Sequence, residues 1–421
     1  MKTYSFEKDD LTPLLERAGT DYSEATEAAS SIMEDVRARG DAALREYTKK
    51  YDGVDITELR VTADEVAEAV ADVPPDLLDA IDAAAFNIAK VHKAQLAAIE
   101  KKWFTKVVPG VEVGERLNPI ESVGCYVPGG LAAYPSTVLM TAIPAAIAGV
   151  KRIAVASPPN IPPAVLAACH AAGVGEIYRM GGAQAIAALA YGTETVKPVK
   201  KIVGPGNKYV TAAKTLAYGT VDIDMPAGPS EVLIIADGAA NPSFIAADIL
   251  AQAEHDPNAQ CILVTDSKEL AKKVKKEVVD LAKNSEKKKI LKESLKNAAI
   301  VLTADIDQAV EFSNQHAPEH LEINTADPVQ IEERCVNAGA VFVGPWSCVA
   351  AGDYASGGNH VLPTSSTAKF AGQLSVRDFL KSQSIQKITE QGLKGLSPTI
   401  ITIAEHEGLT EHAKSISRRL V

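Results

Sequence analysis

At 421 residues the chain is longer than one hydrophobic core usually serves, so two main domains with ample burial are expected. Hydrophobic residues at 46% and charged residues at 23% describe an ordinary globular protein, and a formal charge of −11 argues against a nucleic-acid partner, which needs a basic footprint. The five cysteines at 125, 169, 261, 335 and 348 form no CxxC pair and Met1 to Asp10 lack an apolar core, so a cytoplasmic protein with free thiols is expected.

Residues 1 to 20 read as an N-terminal extension. From 21 to 103 the pattern is helical: alanine-rich and periodic, broken at Gly40, Gly53 and Pro74-Pro75. Asp21-Tyr-Ser-Glu24 and Thr62-Ala-Asp-Glu65 are start signals of the capping-box type. The stretch 122–150 carries no charge, but Pro128, Pro135, Pro144 and four glycines interrupt it, so a buried strand, loop and helix fit better than a membrane span.

Short apolar runs then alternate with helical stretches. Val123-Gly-Cys-Tyr-Val127, Arg152-Ile-Ala-Val-Ala156, Glu176-Ile-Tyr-Arg-Met180 and Lys201-Ile-Val203 come before residue 230. Val232-Leu-Ile-Ile-Ala236, Cys261-Ile-Leu-Val264, Ala299-Ile-Val-Leu302 and Ala340-Val-Phe-Val343 come after it. This is the βαβ signature twice over, so two open α/β sheets are expected, with ligands at the carboxyl ends of the strands. The lysines between 272 and 289 flank Leu270, Val274, Val278 and Leu281 at helical spacing, which makes them the solvated face of an amphipathic helix. From about Ser375 the tail reads as largely helical and amphipathic near its end, so it needs another surface.

No GxGxxG follows a strand, but three other glycine turns do. Tyr126-Val-Pro-Gly-Gly130, Gly181-Gly-Ala-Gln184 and Gly204-Pro-Gly-Asn207 let backbone amides approach a phosphate, with Tyr126, Gln184 and Asn207 able to bond ribose or amide groups. The alternative is that they are plain tight turns.

Metal donors and proton carriers recur in five separated segments: Gln252-Ala-Glu-His255, Ala317-Pro-Glu319-His320, Gly352-Asp353-Tyr354, Gly358-Asn359-His360 and Glu407-Gly-Leu-Thr-Glu-His412. On the helix expected over 244–255, Gln252 and His255 leave one face, a chelating geometry. A mixed N/O set suits a borderline divalent ion such as zinc, and Glu319 beside His320 puts two proton carriers in one place. Taken alone, each pair is more often a surface or helix-end group. Their company with Pro318, Pro257, Gly352, Gly357 and Gly358 favours loop and element ends, where sites are built.

These motifs, with Ile223-Asp-Met-Pro-Ala-Gly-Pro-Ser230-Glu231, resemble the histidinol dehydrogenase family over nearly the whole chain. The resemblance implies NAD-dependent oxidation of L-histidinol through the aldehyde to L-histidine, with two NAD molecules and one zinc ion per site. By motif, Gln252, His255, Asp353 and His412 resemble the zinc ligands, which also meet the substrate, and Glu319 and His320 the acid/base pair, with His320 against the substrate. Ser230, His360 and Glu407 resemble substrate contacts; Tyr126, Gln184 and Asn207 resemble the NAD contacts. The implied architecture is a pair of incomplete Rossmann-like domains. Residues 21–120 and 231–374 form one, 121–230 an inserted NAD-binding domain, and 375–421 a helical extension exchanged in a homodimer with shared active sites. Two rivals stand beside this reading: a related dehydrogenase of another small polyol or sulfonate, and a binding module without catalysis.

Overall fold

The computed structural model describes residues 1–16, 22–129, 133–226 and 228–420. Asp21 of the first capping-box signal, Gly130 of the first glycine turn and Ala227 lie outside the described residues.

Two parallel sheets organise the chain. The larger has six strands, in spatial order Lys2–Ser5, Ala299–Leu302, Gln260–Thr265, Glu231–Ala236, His320–Asn324 and Ala340–Val343. Residues 232–236 are buried on both faces, Val232, Ile234 and Ala236 in one core and Leu233 and Ile235 in the other. That double burial is why the run is continuously apolar rather than alternating. Helices Pro242–Ala253 and Lys268–Asn284 cover one face, and Ile306–His316 the other. In Lys268–Asn284 the residues Leu270, Val274 and Val278 are buried, as the spacing predicts, together with Ala271, but Leu281, expected on the same face, is exposed near the helix end.

The smaller sheet runs Glu176–Arg179, Arg152–Ser157, Ser122–Tyr126, Lys201–Val203 and Asp222–Ile223 in space. Helices Ser23–Arg39 and Asp41–Asp52 pack on one face of it with Gly182–Tyr191 and Lys208–Ala217. Ala63–Asp72 and Pro75–Ala97 pack on the other with Pro135–Ala148 and Pro163–Ala171. The grouping of 21–120 with 231–374 is therefore not the packing unit, because the apolar faces of these early helices match the smaller sheet. Thr62 forms its capping box: Glu65 N–H donates to Thr62 Oγ1 and Thr62 N–H to Glu65 Oε2.

Several strands carry too little pattern to be read in advance. Lys2–Ser5 and His320–Asn324 complete the larger sheet. Lys102–Val108, Val111–Pro119 and Leu380–Ile388 make a three-stranded antiparallel sheet. The tail is largely helical as expected, but between a 3-10 turn Val376–Phe379 and its helices it carries a nine-residue strand that the pattern did not show. Leu380–Ile388 is mostly exposed and gains its order from backbone pairing along 111–119, so it has no apolar face to read. Helices Glu390–His406 and Thr410–Ser417 follow and pack on each other, leaving Ile388, Ile403 and Leu409 exposed. Among the described residues no helix is long and apolar enough to cross a membrane.

Candidate functional site

The acid/base candidates sit at the amino edge of the larger sheet, not at the carboxyl edge expected for it. His320 is the first residue of its strand, directly after Ala317-Pro318-Glu319, and Ser230 immediately precedes the strand Glu231–Ala236. Helix Pro242–Ala253 runs back from the carboxyl edge and so ends here with Gln252, whose side chain is buried. The helix stops two residues short of His255, correcting the expected helix over 244–255. His255 instead sits in the turn beyond, its N–H donating to the Gln252 carbonyl. Helix Val349–Tyr354 likewise returns Asp353 to this edge.

Glu231 holds the pair in place. Its carbonyl oxygen lies 2.9 Å from His320 Nδ1, and since a carbonyl only accepts, Nδ1 carries a proton and, in the neutral ring, Nε2 holds the lone pair. Its N–H donates to Glu319 Oε2 at 2.8 Å, and its carboxylate accepts from Ser365 N–H at 3.0 Å. His320 Nε2 is buried without a hydrogen-bond partner, 3.8 Å from Asp353 Oδ1. Both residues, with His360, Phe342 and Trp346, line a cavity of about 660 Å³.

Charge is concentrated at this edge. Burial disfavours a charged His320, but the Glu319 and Asp353 carboxylates outweigh it and raise its pKa well above the ordinary value. Burial pushes Asp353 up, and the histidines at 320, 360 and 255 together bring it below the usual carboxylate value. Burial lowers His360. One pleat beyond His320, Glu322 is fully buried beside Asp248, and burial followed by the Asp248 charge lifts its carboxyl to about 8. Glu322 Oε1 accepts the Val349 N–H at 3.0 Å, tying the strand of His320 to the helix of Asp353.

Asp353 is thus within electrostatic reach of His255, His320 and His360. Glu407 and His412 are exposed on the tail, and among the described residues no three His, Cys, Asp or Glu side chains form a metal-holding group.

The dinucleotide candidates lie where expected, at the carboxyl edge of the smaller sheet. Tyr126 ends the central strand; its hydroxyl accepts from Gly182 N–H at 3.0 Å and burial pushes its pKa up to about 12. Gln184 is buried in the first turn of Gly182–Tyr191. Asn207 caps Lys208–Ala217 by accepting from the N–H groups of Tyr209 and Val210. A cleft of about 720 Å³ includes Asn207, Lys208, Glu231 and Ser365, so it runs from this edge to the amino edge of the larger sheet.

Glu231, Glu322, Lys214 and Asp224 have no role assigned from sequence. A lone acid within a buried apolar strand, as in Glu231-Val-Leu-Ile-Ile-Ala236 and His320-Leu-Glu-Ile-Asn324, is the signal that marks the first two.

A sequence model of the histidinol dehydrogenase family matches residues 15–420. The chain is similar to a histidinol dehydrogenase of Methanothermobacter thermautotrophicus, 52% identical over 425 residues, covering 100% of this chain and 99% of that one. It is 49% identical over 402 residues to one of Geobacillus kaustophilus, covering 94% of each. The crystal structure of histidinol dehydrogenase from Elizabethkingia anophelis matches the fold with a TM-score of 0.94 at 40% identity, covering 100% of this chain and 98% of that one.

Proposed function

The chain belongs to the histidinol dehydrogenase family, and from that premise we propose that the amino edge of its larger sheet is the active site for NAD-dependent oxidation of L-histidinol through the aldehyde to L-histidine. One observation carries the placement: His320 lines the cavity with its Nε2 buried and without a hydrogen-bond partner, while Nδ1–H is committed to Glu231. A ring fixed this way presents its lone pair to a bound hydroxyl.

His320 Nε2 takes the proton of the substrate hydroxyl as the adjacent C–H bond gives up its electron pair. NAD bound at the smaller sheet would supply the hydride acceptor for that pair, once in each of the two oxidations. Glu319 spends one oxygen on the Glu231 N–H, which leaves the other to take a proton from the water that adds to the aldehyde. With its first proton released to solvent, His320 takes the proton of the resulting hydrate in the second oxidation. Tyr126, Gln184 and Asn207 receive NAD at the smaller sheet, and Ser230, His360 and Glu407 contact the substrate.

Gln252, His255, Asp353 and His412 would hold zinc. The set fits that ion: imidazole, amide and carboxylate donors with one formal negative charge, and Asp353 kept ionised by its histidine neighbours. Bound there, the ion supplies a positive centre that accepts substrate nitrogens and offsets the charge beside His320. The exposed tail supports supply of His412 by a second subunit, as does Trp346, 83% exposed on the cavity wall. The reading is a cytoplasmic homodimer with shared sites, in which the smaller sheet and helices 23–97 form the NAD unit, and of 375–421 the helices beyond strand Leu380–Ile388 are exchanged.

The direct test follows NADH formation on adding histidinol, before and after chelation and zinc replenishment. Formation that needs His320 and is restored by zinc is expected. A His320→Asn variant with native rates would overturn the assignment.

A further inference from the structure

The turn 204–207 leads from strand Lys201–Val203 into helix Lys208–Ala217. Two opposite charges lie beneath it. Lys214 and Asp224 form an ion pair, their side chains only 3% and 1% exposed. Charges so deeply buried need partners, and besides each other the partners here are backbone groups of Gly204 in the turn and of Met225. Lys214 Nζ donates to the carbonyl oxygens of Gly204 at 2.9 Å and Met225 at 3.3 Å, while Asp224 Oδ2 accepts the Gly204 N–H at 2.7 Å. Both polar backbone groups of Gly204 are therefore bound by the one pair.

Gly204 has φ +114°, and a Cβ there would lie 2.1 Å from the carbonyl oxygen of Tyr126. The pair thus clamps the turn against the end of the strand that carries Tyr126. In the other direction Lys214 reaches the carbonyl of Met225, just beyond strand Asp222–Ile223. Hydrophobic residues of the same volume would fill the space, yet they would leave the N–H and C=O of Gly204 without partners. No step of the oxidation uses either charge.

We propose that Lys214 and Asp224 are positioning residues for NAD, holding the turn 204–207 in its receiving shape. The inference rests on the reading that Tyr126, Gln184 and Asn207 receive NAD.

The test uses the full-length protein with Lys214→Met and Asp224→Leu together, which leaves neither charge alone. NADH binding is measured without histidinol, by fluorescence, alongside both Michaelis constants. Loss of the two ties to the turn should weaken NADH binding on the order of tenfold and raise KM for NAD in step. The KM for histidinol, and kcat at saturating NAD, should stay near native. A lowered melting temperature with unchanged NADH affinity would mean the pair only supports the fold, and would overturn the proposal. Should the double variant not fold, Asp224→Asn, which removes the charge at constant size, is read by the same two affinities. If Asn207→Ala and Tyr126→Phe both bind NADH as the native protein does, it is the placement of NAD that fails, whatever the pair does.

Discussion

Replacing Glu319 by glutamine separates the roles of two adjacent residues. In the native chain Glu319 Oε2 accepts the Glu231 N–H at 2.8 Å and lies 3.5 Å from His320 Nδ1. Glutamine has the same length, and its amide oxygen still accepts that N–H, so only the charge assistance of the hydrogen bond is lost. That costs about 1 kcal/mol, against a typical total of about 5–15 kcal/mol, and leaves the fold intact. What disappears is a proton acceptor, and loss of a general base slows its step by on the order of 100- to 10,000-fold. Oxidation of histidinal should fall by that factor. Reduction of histidinal by NADH should keep most of its rate, because it needs only a proton returned from His320. Among the groups that raise the His320 pKa, Glu319 is the largest, so its removal lowers that pKa. The reduction rate, which needs protonated His320, should then fall off at a lower pH than in the native enzyme. Both directions are followed by NADH absorbance, with the melting temperature as control. Equal losses in the two directions with an intact fold would refute the division of labour.

Three further outcomes are expected. Asp353→Asn and His412→Asn proteins, each inactive, should recover about a quarter of native sites when co-refolded in equal amounts, since about half the dimers are mixed and each has one complete site; no recovery would mean His412 serves its own chain. The Glu322 carboxyl, lifted to about 8, binds its proton more tightly in the fold than in the unfolded chain, so its contribution to stability is present below about 4.5 and lost as pH rises through about 8. Glu322→Gln removes that loss, so the variant should gain on the native protein between pH 6 and pH 9 in urea titrations, and parallel declines would show that Glu322 is ionised in the fold. Gly204→Ala places a methyl group 2.1 Å from the Tyr126 carbonyl at φ +114°, and the melting temperature should fall on the order of 5 °C; an unchanged value would show that the turn is not pressed there.

By itself the sequence determined the elements whose signals are local. Ala299–Leu302 and Gln260–Thr265 fall where the apolar runs place them, because strands of a parallel sheet covered on both faces must be continuously apolar. The adjacency of Glu319 and His320 was likewise visible, since neighbours in the chain need no fold to bring them together. Tertiary structure decided the rest. Helices 23–97 could have covered either sheet, and only the fit of their apolar faces assigns them to the smaller one. Leu380–Ile388 is ordered by backbone pairing, which leaves no trace in side-chain pattern. The amino-edge location of the site follows from helices that run back against their strands and so return Gln252 and Asp353 to the start of the strand carrying His320. The tautomer of that histidine is set by the carbonyl of Glu231, 89 positions away, a contact that exists only because their two strands lie side by side.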